Sequence, residues 1–226
     1  MKRGISLVAP LLALLLPVAA NAGQDNLNEA VRGDYAFSGE AICLGTHAAP
    51  GTLGTFHAPN PGALIVSYTV SGVLHFNGDG TGSTVSGRSV SINHNVNRDP
   101  NGNFVSLGTA GAQTFVGDFT YTVAPDHSIH VERGPLAVTG IIGPNANSPG
   151  AIEVWKGIKF EGHVSQDFQT IVVGTPLNAD NTMVVEIGYK GDGTTYDQAR
   201  ICHRSRTFIK LGGDNSRLSA NPFSRD

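Results

Sequence analysis

The sequence predicts an all-β protein with one domain, a single antiparallel up-and-down barrel of about eight strands. Three observations carry that expectation. First, after the amino-terminal segment no stretch keeps a helical period; short runs of Val, Ile, Thr, Phe and Ser alternate with Gly, Asn, Asp and Pro. Second, the 29 glycines among 226 residues follow no fixed period, which excludes collagen and solenoid repeats and leaves turn chemistry. Third, the two cysteines fall in the first and last strand-like runs. A two-sheet sandwich is the alternative architecture.

The chain begins with Lys2 and Arg3, an apolar stretch over 4–20 and Ala20-Asn21-Ala22. This is the anatomy of a secretory signal cleaved after Ala22. Pro10 and Pro17 interrupt the apolar stretch, which is short for a membrane anchor. The expected organisation is a signal peptide at 1–22, a barrel domain at 23–211 and a flexible tail at 212–226, in an exported, periplasmic or secreted protein. Removing 22 residues from 226 leaves 204, enough for one self-sufficient β domain. The signal holds two basic residues and no acidic one, so the formal charge goes from −3 to −5. That balance argues against a nucleic acid partner.

Each strand expectation rests on a period of two. In 34–43, Tyr35, Phe37, Gly39, Ala41 and Cys43 share a face; in 63–77, Leu64, Val66, Tyr68, Val70, Leu74 and Phe76 do. Asn77-Gly78-Asp79-Gly80-Thr81-Gly82 reads as a hairpin, because Gly and Asn supply positive φ. Its likeness to a calcium loop is superficial, since the closing Glu is missing and position 88 is Arg. Residues 81–94 are polar on both faces, as a solvated strand or a polar lumen face would be. Residues 113–123 place Phe115, Gly117, Phe119, Tyr121 and Val123 together. A turn at Pro125-Asp126-His127 leads to a strand broken near Gly134-Pro135. The run 152–164 is expected to put Ile152, Val154, Ile158, Phe160 and Val164 on one side. Glu153, Trp155, Lys159, Glu161 and His163 would then lie on the other. Strands at 169–174, 182–189 and 200–211 follow.

Cys43 ends the first strand and Cys202 begins the last. In an even-stranded up-and-down barrel these strands are antiparallel neighbours, so a disulfide can form at the seam. Export would supply the oxidising compartment; two free buried thiols are the alternative.

The segments GDYAFSGEAIC, LHFNGDGTG and GDFTYTVAPD resemble those of exported bacterial calycin-like β-barrel proteins, similar to the allene oxide cyclase and dirigent type of barrel. The resemblance implies the fold over most of 33–210 and brings no catalytic residue with it.

No G-x-S-x-G elbow, P-loop, cofactor motif or recognised metal-ligand spacing is present. His127 and His130 are three apart, on opposite faces of a strand. Three functional readings remain. A binding protein would hold a small apolar or amphipathic ligand in a lumen larger than about 300 Å³, with Phe37, Tyr68, Phe119 and Tyr121 as candidate lining. A cyclase, isomerase or lyase would use Glu153, Glu161, His163 and His203 as acid–base groups in the lumen, with Arg200, Arg204 and Arg206 beside His203. A structural or interaction protein of the cell envelope would have a lumen packed solid. An outer-membrane barrel would need apolar outward faces and aromatic girdles, and aromatics are only 7%.

Overall fold

The structure, a computed structural model, describes residues 27–47, 63–95, 100–103, 108–143, 152–191 and 193–212. The expected signal peptide, and the expected tail beyond Gly212, lie outside these residues. A short 3-10 turn at Glu29–Val31 precedes twelve strands. They are β1 (Gly33–Thr46), β2 (Ala63–Phe76), β3 (Thr81–Asn95), β4 (Thr109–Val116), β5 (Asp118–Val123) and β6 (Ser128–Arg133). Then come β7 (Leu136–Ile142), β8 (Ile152–Lys156), β9 (Lys159–Val164), β10 (Thr170–Gly174), β11 (Val185–Lys190) and β12 (Tyr196–Lys210).

All twelve belong to one antiparallel sheet, and β1 pairs with β12 to close it into a ring. Twelve strands stand where about eight were expected, because several expected strands are interrupted. β1, β2, β3 and β12 are 14 or 15 residues long. β3 pairs with β5 through Thr81–Ser83 and with β4 through Arg88–Asn93. β12 pairs with β10 through Ser205–Ile209 and with β11 through Tyr196–Ile201. The shorter strands are therefore stacked in two tiers. Their breaks have chemical causes. Pro135 has no N–H for the ladder, and Gly157 sits at φ +82°, where a side chain would be strained.

The break at Gly157 also switches faces. Trp155 is buried on the near side of it, and Ile158, Phe160 and Val164 are buried beyond it. The expectation of one uninterrupted alternation over 152–164, with Trp155 facing away from Ile158, is thus corrected. Elsewhere the alternation is as read. Tyr35, Phe37, Ala41 and Cys43 of β1, and Phe115, Phe119, Tyr121 and Val123 of β4 and β5, all face inward. β3 turns its polar side to the interior: Ser89 is buried while Val90 and Ile92 stand about half exposed on the outer face.

The two ends of the ring differ. One is joined by tight turns at 77–80, 124–127 and 165–169 and covered by the 3-10 turn. There Asp79, Asp126 and Asp167 each accept a backbone N–H two residues on, at 2.9, 3.0 and 3.1 Å. Asn28 Oδ1 accepts from Val123 N at 2.8 Å, and Tyr35 Oη donates to Phe168 O at 2.7 Å. Inside this end the rings of Tyr35, Phe119 and Tyr121 contact Phe76 edge-on at 4.9–5.1 Å. The other end is where β1 leads to β2, β3 to β4, β7 to β8 and β11 to β12. Among the described residues no helix is long and apolar enough to cross a membrane.

Candidate functional site

The site grows out of β12. Alternate residues of a strand share a face, and here Gln198, Arg200, Cys202, Arg204, Arg206 and Phe208 are all buried. Cys202 lies opposite Cys43 in the β1–β12 register, and the two form a disulfide. The disulfide fixes which face of β12 is interior, and three arginines go in with it. Space for Arg206 comes from Gly39 on β1, where an added Cβ would lie 2.6 Å from Arg206 Cγ.

One buried carboxylate answers these charges. Glu186 of β11 is 1% exposed. Its Oε2 accepts from Arg200 Nε at 2.8 Å, and its Oε1 forms a close ion pair with Arg204 Nη1. Burial raises the Glu186 pKa, but the charges and hydrogen bonds of Arg204 and Arg200 outweigh it and hold the group below its ordinary value. Arg204 Nη2 also donates to Tyr68 Oη at 3.0 Å. The Arg200 guanidinium stacks 3.4 Å from the centre of the Trp155 ring.

Two further guanidiniums have no such partner. Arg206 lies 4.5 Å from the Phe160 ring centre and its buried Nε meets no hydrogen-bond acceptor among the described residues. Arg133 of β6 donates through Nη1 to Thr84 Oγ1, while its Nη2 meets none among the described residues. Burial, then the neighbouring charges of Arg206 and Arg204, push the Arg133 pKa down to about 9. Burial and Arg204 push Arg206 down to about 10. Both groups still carry charge at neutral pH. Among the described residues the interior thus holds four guanidiniums and one carboxylate.

Beside these charges, in the half of the ring away from the tight turns, is a cavity of about 100 Å³. Apolar Val66, Val70, Phe115, Leu136, Val138 and Ile158 line it together with polar Ser89, Ser91, Asn93, Gln113, Gln198, Arg200 and Arg206, and with Tyr68 and Trp155. No protein-family model matches this chain, and no curated protein matches it in sequence. The site therefore has to be judged on its own geometry.

That geometry sorts the residues expected from sequence. Of the four aromatic candidates for ligand lining, Tyr68 reaches the cavity. Phe37, Phe119 and Tyr121 are buried in the hydrophobic core. The cavity is also smaller than the expected lumen. Glu161, His163 and His203 are exposed on the outer face, with Glu161 Oε1 3.1 Å from His130 Nδ1. Glu161 and His163 share only an open dent there. They do not meet in the lumen as the acid–base reading required, because the inward places on β9 and β12 belong to Phe160 and the arginines. Glu153 lies in β8, and its side chain is outside the described residues. Sequence reasoning missed Arg133 and Glu186. Glu186 is a single acid in the apolar run Met183–Ile187 and gave no period to read. Arg200, Arg204 and Arg206 were noticed as neighbours of His203, but the face that matters is theirs.

Proposed function

We propose that this is an exported binding protein whose ring of strands is an eight-rung up-and-down barrel of the calycin-like kind, holding a small amphipathic ligand in the cavity described above. The rung count follows from reading β4 with β5, β6 with β7, β8 with β9 and β10 with β11 as single interrupted strands. Each pair runs in one direction along the same neighbours. Export is supported by the signal-like amino terminus and by a disulfide that needs an oxidising compartment.

The observation that carries the ligand reading is the composition of the cavity wall. Apolar side chains share it with hydroxyls, amides and guanidiniums, the usual makeup of a small-molecule site. At about 100 Å³ the space is smaller than the roughly 150 Å³ of a cavity that holds benzene, so it suits a short aliphatic body.

Native mass spectrometry of the protein recovered from its own envelope fraction tests this. The expected result is a bound small molecule that is absent from a folded Leu136→Trp variant, whose added ring fills the cavity. Recovery of the bare chain alone, together with Trp155 fluorescence unmoved by millimolar butyramide or butyrate, would overturn the reading.

A further inference from the structure

We propose that the ligand is an organic monocarboxylate, its carboxylate held by Arg206 and its small apolar body lying against Leu136, Val138 and Ile158. This rests on the ligand reading above and adds the chemical class. The first argument is charge. Glu186 is the sole buried carboxylate among the described residues, and Arg200 and Arg204 already occupy both of its oxygens. Arg206 and Arg133 are left with no counter-charge, and a buried unpaired charge is strongly unfavourable. An anion brought into the cavity supplies what the fold does not.

The second argument is position. Arg206 is 6% exposed, lines the cavity, and is held by the faces of Phe160 and Phe37 rather than by any polar group. Aromatic faces retain a guanidinium without consuming its N–H donors. Ser89 Oγ, on the same cavity, is likewise buried without a hydrogen-bond partner among the described residues. A guanidinium and a hydroxyl left open on one small cavity match the acceptor-rich end of a carboxylate. The apolar side chains that share the cavity, Leu136, Val138 and Ile158 among them, suit an organic body and disfavour a bare inorganic anion.

The chain contains one tryptophan, and Trp155 lies on this cavity, so its fluorescence reports occupancy directly. Butyrate and butyramide suit the cavity's size, are close in shape and differ in charge. Wild-type protein should bind butyrate about tenfold or more tightly than butyramide, as a charge-assisted hydrogen bond implies. Arg206→Gln should reduce that preference to about twofold or less, and Arg206→Lys should retain part of it. Equal wild-type affinities would overturn the carboxylate claim while leaving a ligand cavity. Competition by inorganic phosphate as strong as that by butyrate would also overturn it, in favour of a bare anion site. Absence of binding by either probe would overturn the ligand reading as well. The wild-type comparison requires no variant, so the claim can be refuted even if Arg206→Gln fails to fold.

Discussion

The tight-turn half of the ring and the long-connection half share β1, β2, β3, β12 and one apolar cluster, yet they differ in what is buried beside it. In the first, Tyr35, Phe76, Phe119, Tyr121, Ile129 and Ile171 pack together, and Asp79, Asp126 and Asp167 accept backbone N–H groups of the covering turns. In the second, Arg200, Arg204, Glu186 and the Cys43–Cys202 disulfide are buried beside a cavity that Arg200 and Arg206 line. The first half contains what a fold requires. The second holds charged groups of a kind that hydrophobic residues of similar volume often replace without loss of stability. On the proposed reading those groups serve a ligand, and the division says where it would bind.

The comparison can be broken by substitution. Glu186→Gln should have the largest effect, because it leaves Arg200 and Arg204 buried without an anion; about 3–5 kcal/mol of stability should be lost. Urea unfolding measures it, and a near-neutral result would mean that the polar half tolerates free guanidiniums. Phe76→Ala removes the ring on which three other aromatics converge and should cost about 3–4 kcal/mol. Cys43→Ala with Cys202→Ala, followed by the same measurement, should lose about 2–4 kcal/mol, given a sequence separation of 159 residues. Leu136→Ala, beside existing space, should cost only about 2 kcal/mol. Equal losses for Phe76→Ala and Leu136→Ala would erase the difference in packing between the halves.

The smallest effect is that of pH on the tight turns. Hydrogen bonds to Thr81, Ser128 and Ser165 hold the carboxyls of Asp79, Asp126 and Asp167 below their ordinary value of 3.8. A depressed folded-state pKa gives stability that is present above 3.8 and is lost as pH falls through the lower, folded value. After correction for intrinsic exchange, the amides of Thr81, Ser128 and Gln169 should lose hydrogen-exchange protection as pH falls from 3.8 through the lowered carboxyl values. Protection unchanged over that range would show that these turns do not depend on their carboxylates.

Much of the fold was legible in the sequence. Alternation placed the inward residues of β1, β2, β4 and β5, and the glycines of 77–82 marked the first hairpin. The positions of Cys43 and Cys202 indicated that the first and last strands are neighbours. Legibility failed where one residue shifts the period. Gly157 flips the strand face, so Trp155 was assigned to the wrong side. The candidate site was half legible for the same reason. Arg200, Arg204 and Arg206 have the parity of Cys202, and Cys43 shares a face with Phe37. Following the disulfide across the seam would have put the arginines inside and His203 outside. Glu186 stands opposite Arg200 in the β11–β12 pairing, which shows only once that register is known, and Arg133 meets Thr84, 49 residues away along the chain, which no local pattern encodes.

The central claim is that ligand enters the polar half and leaves the aromatic half untouched. The most direct test is an NMR titration of isotopically labelled wild-type protein with butyrate. The account predicts shifts confined to Ser89, Gln113, Trp155, Arg200, Arg206 and their neighbours, with Tyr35, Phe76, Phe119 and Tyr121 unmoved. Shifts centred on those aromatics, or on the outer face around Glu161 and His163, would contradict it.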